Sequence, residues 1–247
     1  MVKKSPFLSV LYFFLFSLAF CAAIAAFMLA KNTFFDKAPS PSYNDITLPT
    51  VIIDAGHGGR DGGTVGADGV TVEKELNLDI AERMREILAK RGYEVIMTRS
   101  EDMLLSDPMI SSSKKASDLS ARLKIMKSYE NAVFISIHMN AFSDKKYNGL
   151  QVYYSKNDPR SATLAENIQS SVKEALQPEN ARKTKAAGEN IYLLNKATCP
   201  AVMIECGFLS NPEECKKLCE KEYQKQLCFA ILCGIINVDT KNQQKGS

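Results

Sequence analysis

Short apolar runs alternate with segments of helical periodicity along most of this 247-residue chain. Such alternation is typical of α/β proteins, in which helices cover both faces of a largely parallel sheet. The apolar runs lie at about residues 51–54, 94–98, 132–137, 150–154, 191–194 and 201–205. Helical spacing marks about 74–90, 118–129 and 159–176, and two further helices follow. We therefore predict one α/β domain with a twisted, largely parallel sheet of about six strands.

Residues with capping chemistry mark the ends of two of these helices. Gly92 follows Arg91 at the end of the first helix, where a left-handed glycine commonly terminates helical structure. Asp118 precedes Leu119 and Leu123 and is a suitable N-cap for the second helix. We therefore expect the second helix to begin near Asp118.

The first 31 residues are predicted to be a signal peptide or an N-terminal membrane anchor. Residues 7–30 form an uncharged stretch of 24 residues that follows two lysines. A helix of that length is about 36 Å long, which is enough to cross a bilayer. Small residues at 22–26 also suit a signal peptidase, so both fates remain open. In either case we expect the domain to be exported across the cytoplasmic membrane.

Composition divides the rest of the chain into three parts. Residues 32–48 contain proline, serine and asparagine without periodicity, which indicates a linker. Residues 49–238 carry the periodic pattern of the domain, and residues 239–247 are expected to be a disordered tail. The 31 basic and 28 acidic residues are interspersed, with a net charge of +3, so nothing supports nucleic-acid binding.

The seven cysteines are expected to remain reduced. Their number is odd, which leaves at least one unpaired. Cys215 and Cys219 would lie one helical turn apart, where Cβ atoms are about 5 to 6 Å from each other, too far for a relaxed disulfide. Free cysteines of this kind usually serve as small apolar core residues.

Each of the two histidines closes an apolar run in a setting of small residues. His57 follows the first run, and His138 follows the run at 132–137. Imidazole is the commonest protein ligand for zinc, and small neighbours leave space for an ion, a water and a substrate. Ligands of α/β sheets bind at the carboxyl ends of strands. The pattern therefore predicts a metal site; the alternative is two packed histidines at strand ends.

A third ligand is needed, because a catalytic zinc takes three protein donors and keeps one open position. The candidates are Glu73, Glu75, Glu205 and Cys206. The pattern does not choose between Glu73 and Glu75, and the alternative for each is a role at the positive end of a helix. Cys206 would face away from Glu205 on an extended strand, which counts against it.

Glu205 ends the apolar run that begins at Pro200. A carboxylate driven toward the buried end of a sheet needs a metal, a charged partner or a catalytic task. The alternative to a catalytic role is an ion pair with Arg99, which also ends a strand.

Five segments of the chain resemble, in order, the motifs of the zinc-dependent N-acetylmuramoyl-L-alanine amidases of the Amidase_3 type. The resemblance covers about Thr50 to Val238. The order of five motifs makes it specific, whereas each motif alone would be weak. The segments are residues 54–59, 73–78, 98–99, 136–141 and 200–211.

This resemblance implies a zinc ion held by His57, Glu73 and His138, with Glu205 as the catalytic carboxylate. The implied reaction is hydrolysis of the amide that joins the lactyl group of muramic acid to L-alanine in peptidoglycan. Zinc would acidify a water and polarise the amide carbonyl, and Glu205 would transfer the proton.

Two further residues of the matched segments, Asn140 and Arg99, are predicted to contact the substrate. Asn140 follows His138 by two residues, and an ordinary turn role is its alternative.

The single-domain build is similar to the CwlD-like amidases of spore formers, which act with a deacetylase to make muramic-δ-lactam in spore cortex. The resemblance implies a protein that is anchored in the membrane or secreted to the cell wall or cortex space, and a separate accessory protein for activity is left open. Two other functions also remain open. One is a zinc peptidase that cuts peptidoglycan stem peptides, and the other is a non-catalytic, membrane-tethered wall-binding protein with structural zinc.

Overall fold

A computed structural model describes residues 48–107, 109 and 113–243, with side chains up to residue 236, and seven helical residues between 15 and 24. The rest of the predicted signal or anchor segment and nearly all of the predicted linker lie outside the described residues. From Leu48 onward the chain forms one compact unit. Within the described residues, no helix combines the length and apolarity needed to span a bilayer.

Six strands and six helices make up the described part of the compact unit. The strands are β1 (Thr50–Ala55), β2 (Val95–Met97), β3 (Ala132–Asn140), β4 (Gln151–Tyr154), β5 (Lys185–Ala186) and β6 (Ala201–Phe208). The helices are α1 (Glu73–Lys90), α2 (Lys114–Lys127), α3 (Arg160–Leu176), α4 (Tyr192–Asn195), α5 (Pro212–Cys219) and α6 (Lys221–Gln243). The backbone of α6 thus continues into the first five residues of the predicted tail.

The strands form one sheet in the order β2-β1-β3-β6-β4-β5. β2, β1, β3 and β6 run parallel, β4 is antiparallel to β6, and β5 is parallel to β4. This confirms the predicted α/β class and the largely parallel sheet. It also makes β1, β3 and β6 adjacent, so their carboxyl ends meet at the middle of one edge.

Helices cover both faces of the sheet, as predicted. α1, α3, α5 and α6 pack on one face, against side chains such as Val51 and Ile135. α2 and α4 pack on the other face, against Ile52 and Phe134. Because side chains alternate along a strand, neighbouring residues of β1 and β3 enter different cores.

Two local predictions are wrong. The apolar run at 191–194 is the short helix α4 rather than a strand, and the edge strand is instead the exposed pair Lys185–Ala186. Helix α2 begins at Lys114, where Ser113 Oγ caps the Ala116 N–H, four residues before the predicted cap Asp118. The carboxylate of Asp118 binds Arg122 within the helix instead.

The C-terminal end of α1 agrees with prediction. Gly92 follows the last residues of the helix with φ of +85°, in the left-handed region that glycine adopts without steric cost.

Helices α3 and α6 approach each other closely at Gly234. A Cβ atom at this position would lie 2.5 Å from the Ile168 Cα atom and 2.7 Å from its backbone nitrogen. Both are backbone atoms, so rotation of a side chain cannot relieve the contact. The absence of a side chain at Gly234 therefore allows α3 and α6 to pack at this short distance.

We expect Gly234→Ala to lower the free energy of unfolding by about 1–3 kcal/mol, the usual cost of overpacking. The direction of the change in unfolding free energy is informative, because a glycine-to-alanine substitution at a helix position without close neighbours would stabilise the protein by about 1 kcal/mol. Urea unfolding followed by circular dichroism measures it, with Phe229→Ala as the control, since Phe229 is on α6 and 54% exposed. A Gly234→Ala protein more stable than wild type would contradict the packing described.

Candidate metal centre

Three side chains place their ligand atoms together at the carboxyl ends of β1 and β3. His57 Nε2 lies 3.2 Å from Glu73 Oε1, and His138 Nδ1 lies 3.1 Å from the same oxygen. All three ligand atoms lie within 4.8 Å of one another. His57 is two residues beyond β1, His138 is within β3, and Glu73 is the first residue of α1.

Glu73 is buried and its orientation is fixed by backbone donors. Oε1 accepts a hydrogen bond of 3.0 Å from the Met139 N–H, and Oε2 accepts one of 2.9 Å from the Thr64 N–H. Burial acts to raise the pKa of Glu73, but hydrogen bonds and charges of His138 and His57 hold that pKa well below its usual range. The carboxylate is therefore ionised at neutral pH, as a metal ligand must be.

The backbone of His57 lies in the left-handed region, with φ of +61°. Its carbonyl oxygen accepts a hydrogen bond of 2.7 Å from Arg122 Nη2. On the far side of the ring, Asp61 Oδ1 lies 2.9 Å from Nδ1 without the alignment of a hydrogen bond, so the contact is chiefly electrostatic. Burial acts to lower the pKa of His57, but Glu73 and Asp61 raise it above its ordinary value. Carboxylates in this position orient metal-binding imidazoles.

Arg122 anchors the loop that carries His57. The residue is 2% exposed. Its Nη1 donates to Asp54 Oδ1 at 2.6 Å and to the Ala55 carbonyl at 2.8 Å. Its Nε donates to Asp118 Oδ2 at 2.8 Å. One guanidinium from α2 therefore binds the end of β1 and the loop after it.

Asp54 completes this network inside the protein. Its carboxylate also accepts hydrogen bonds of 2.8 Å from Thr98 Oγ1 and 2.6 Å from Ser136 Oγ. Burial acts to raise the pKa of Asp54, but the charge of Arg122 and the hydrogen bond from Ser136 outweigh it, so the pKa is lowered. The ion pair is thus fully hydrogen-bonded, the condition under which a buried pair is tolerated.

Glu205 lies beside His138, because the two residues are paired in the register of β6 and β3. Its Oε2 atom is buried and has no hydrogen-bond partner among the residues that the structure describes. Burial is the largest influence and raises the pKa of Glu205; the imidazoles of His138 and His57 oppose it only in part, and the charge of Glu73 adds to it. A buried carboxylate oxygen that the protein does not satisfy is available to a proton or a ligand.

The structure separates the remaining ligand candidates from the centre. Glu75 is exposed on α1. Cys206 is fully buried in the core on the α1 face, as its place after Glu205 predicted. Glu73 is accordingly the carboxylate that joins the two histidines.

Arg99 and Asn140 occupy different surroundings, and the prediction that they bind substrate stays a prediction. Arg99 is 3% exposed, and its guanidinium donates to the carbonyls of Ala55, Gly56, Lys74 and Glu101. It forms no ion pair with Glu205, whose Oε2 is unpartnered. Asn140 is half-buried at the end of β3.

The three donors fit a zinc ion. Zinc bonds of about 2.0–2.1 Å to nitrogen and oxygen in a tetrahedron place neighbouring ligand atoms about 3.3 Å apart. The two contacts to Glu73 Oε1, at 3.2 and 3.1 Å, are close to that separation. Two imidazoles and one ionised carboxylate also leave a fourth position open, which is the composition of catalytic rather than structural zinc sites.

A cleft opens beside the ligand atoms on the α2–α4 face of the sheet. His57, His138 and Asp61 line its polar end. Leu119, Met203 and residues 190–194 of the α4 segment line the rest. A cleft with a polar end and an apolar wall is the usual form of a small-molecule or polymer-end binding site.

Sequence analysis missed the residues that hold the ligands in place. A Cβ atom on Gly56 would lie 2.3 Å from the His138 ring, and one on Gly63 would lie 2.5 Å from Glu73 Oε2. The density of glycine around His57 was the available signal for this close packing. No local pattern could have pointed to the role of Arg122 at the site, because the partners that it holds there, Asp54 and the carbonyls of Ala55 and His57, are more than 60 residues away.

The Amidase_3 family model, described as N-acetylmuramoyl-L-alanine amidase, matches residues 51–237. The chain therefore belongs to this family, and it is an N-acetylmuramoyl-L-alanine amidase by class. The matched residues include the three proposed ligands, Glu205 and all of the strands except Thr50, the first residue of β1.

Individual relatives agree with this class. The germination-specific N-acetylmuramoyl-L-alanine amidase of Bacillus subtilis strain 168 is 37% identical over 193 residues, which cover 77% of this chain and 80% of that protein. Among solved structures, the CwlD amidase from Clostridioides difficile, in complex with the GerS lipoprotein, has a TM-score of 0.73 at 38% identity, covering 78% of this chain and 98% of that one. The amidase AmiC2 of Nostoc punctiforme has a TM-score of 0.66 at 30% identity, covering 76% and 96%.

We expect Gly56→Ala to reduce amidase activity by about 100-fold, because the added methyl group must displace the His138 ring and small displacements have effects of this size. Gly62→Ala is the matched control. Its Cβ would meet a side-chain atom, Val72 Cγ1, at 3.2 Å, and the backbone there is not left-handed. Release of amino groups from peptidoglycan measures both variants. Equal activity of the two proteins would show that His138 has more freedom than described.

Proposed function

We propose that this chain is a zinc-dependent amidase that hydrolyses the bond between N-acetylmuramic acid and L-alanine in peptidoglycan. His57, Glu73 and His138 hold the zinc, and Glu205 is the catalytic carboxylate. The observation that carries the proposal is that the ligand atoms of these three residues lie together beside Glu205. The Oε2 atom of Glu205 is buried and has no hydrogen-bond partner among the described residues.

The two glutamates divide the chemistry between them. When bound, zinc supplies a Lewis acid that acidifies water and polarises a carbonyl. Glu73 has a depressed pKa and remains a charged ligand, whereas burial raises the pKa of Glu205 toward the range in which a carboxyl group both accepts and donates protons. Glu205 accepts the proton of the attacking water and delivers it to the nitrogen of the departing L-alanine.

The buried network of Arg122 contributes through the position of His57. Because Arg122 binds the His57 carbonyl and the end of β1, the imidazole keeps its orientation while substrate enters the cleft. Asn140, at the end of β3, and Arg99, which binds the carbonyls of Ala55 and Gly56 before His57, are proposed to contact the substrate.

The biological setting is proposed from the relatives. The B. subtilis relative is named germination-specific, and we infer that this chain acts on spore-cortex peptidoglycan, in muramic-δ-lactam formation. The C. difficile relative was solved with a lipoprotein, which supports an accessory partner for this chain as well. We further propose that residues 1–31 are a signal or membrane anchor, 32–48 a linker, 49–238 the catalytic domain and 239–247 the tail, with the domain exported.

The ligand variants His57→Ala and His138→Ala should lose both zinc and activity, since two remaining donors cannot hold the ion as tightly. Glu205→Gln is the matched contrast: it is nearly isosteric, removes no ligand, and should keep zinc while losing hydrolysis. Elemental analysis of the purified proteins, with activity assayed in parallel, measures both. An active Glu205→Gln protein would exclude Glu205 as the proton carrier. Wild-type protein that binds zinc but releases no stem peptides would favour the non-catalytic alternative instead.

Digestion of purified peptidoglycan should release stem peptides that begin with a free L-alanine amino group. A zinc peptidase with the same ligand set would instead cut within the stem and leave L-alanine attached to muramic acid. Mass spectrometry of the products distinguishes the two, and Glu205→Gln protein provides the blank. Adding a candidate lipoprotein partner to parallel digests tests whether the chain acts alone.

A further inference from the structure

A second group of metal-ligating side chains lies away from the proposed zinc site. Asp68 is in the loop between β1 and α1, and Cys215 and Cys219 are one turn apart on α5. The carboxylate and thiol ligand atoms of these three residues all lie within 4.8 Å of one another. The family reaction and the proposed mechanism use none of them.

Asp68 is ionised and its carboxylate is held toward α5. Oδ1 accepts hydrogen bonds of 3.0 Å from the N–H groups of Val70 and Thr71, and Oδ2 accepts one of 2.6 Å from Thr71 Oγ1. The hydrogen bonds, that of the Thr71 side chain first, lower the pKa of Asp68 to about 2. A negative charge therefore lies permanently beside the two thiols.

The two thiols are free and differ in exposure. Cys215 is 1% exposed, whereas Cys219 is exposed and its Sγ lies 3.3 Å from Thr71 Oγ1. Residues four apart on a helix share a face, and their Cβ separation of about 5–6 Å is too long for a relaxed disulfide. Two thiolates on a tetrahedral zinc lie about 3.8 Å apart. The two Sγ atoms lie within 4.8 Å of each other, no more than about 1 Å beyond that separation.

The group is open to solvent through a cleft. Its lining consists of Ala67, Asp68, Pro212, Cys215, Lys216 and Cys219. An ion can therefore enter without unfolding of the loop or of α5.

We propose that Asp68, Cys215 and Cys219 form a second metal site for a soft or borderline divalent cation such as zinc or cadmium. Thiolates select such ions over magnesium and calcium. Binding displaces one proton from each thiol, and the fourth position is left to water or to Thr71 Oγ1. The proposal does not depend on the proposed function, because it shares no ligand with the His57 site.

The second site would connect α5 to the segment that leads into Glu73. Val65 and Val72 pair across this segment, and the Ala67 N–H donates to the Leu209 carbonyl beyond β6. Glu73 follows immediately. A cation bound only by the folded protein stabilises it by mass action, so occupancy would stabilise the loop that carries a ligand of the first site.

Titration of the metal-free full chain with Cd²⁺, in a non-thiol reductant, tests the proposal. Thiolate-to-cadmium charge transfer absorbs in the ultraviolet, and the His57 site contains no sulfur, so this band distinguishes the second site from the first. The cysteine variants assign the band to particular thiols. We expect a band whose final intensity corresponds to one thiolate-bound Cd²⁺ per chain in wild type and in the control Cys233→Ser, whose thiol lies on α6. Cys219→Ser, at an exposed position, should lose the band.

Asp68→Asn provides the second measurement, because it leaves both thiols in place. We expect the band to persist with an affinity at least about tenfold weaker. No band in wild type, a band of full intensity in Cys219→Ser, or an unchanged affinity in Asp68→Asn would each overturn the three-ligand site. A different result would show that the proposed zinc site at His57 is wrong. In that case His57→Ala would bind as many equivalents of Cd²⁺ as wild type, and the thiolate band would be unchanged.

Discussion

The position of the candidate metal centre depends on a buried ion pair between Arg122 and Asp54. Both residues are almost fully buried, and the same guanidinium also binds the carbonyl oxygen of His57. Removing one member of such a pair leaves an uncompensated charge in the interior, at a cost of about 3–5 kcal/mol. The loop that carries His57 is therefore attached to a part of the core that is costly to disturb. Stability and ligand placement are properties of one network.

Strand order explains how distant parts of the sequence meet at this network. The central strands β1, β3 and β6 are neighbours, so His57, His138 and Glu205 reach one edge of the sheet from three separate segments. Glu73 reaches the same place because α1 begins there.

The pKa values of the two glutamates at this site are shifted in opposite directions. Hydrogen bonds and charges of the two imidazoles lower the pKa of Glu73 despite its burial, whereas burial raises the pKa of Glu205. Environment, rather than residue type, separates their roles.

Periodicity was enough to predict the α/β class, the long strands and helices, and the strands that carry the histidines. It failed where the signal is short or depends on distant contacts. The run at 191–194 has too few residues to distinguish a strand from a single helical turn, and β5 has only two exposed residues. Asp118 has the chemistry of an N-cap, but its carboxylate binds Arg122, which is engaged with Asp54 far away in sequence. The choice of Glu73 over Glu75 likewise required a helix orientation that spacing alone does not give.

His57 has a left-handed backbone conformation, which favours glycine, but its proposed role requires an imidazole side chain. A residue with a Cβ atom in this region costs about 1–3 kcal/mol, which glycine would avoid. Glycine has no imidazole, however, and could not supply the proposed metal ligand. The chain therefore retains a conformationally unfavourable residue there, and the hydrogen bond from Arg122 offsets part of that cost. Evolution toward greater thermal tolerance would have to proceed elsewhere in the molecule, because this source of strain cannot be removed without loss of the ligand.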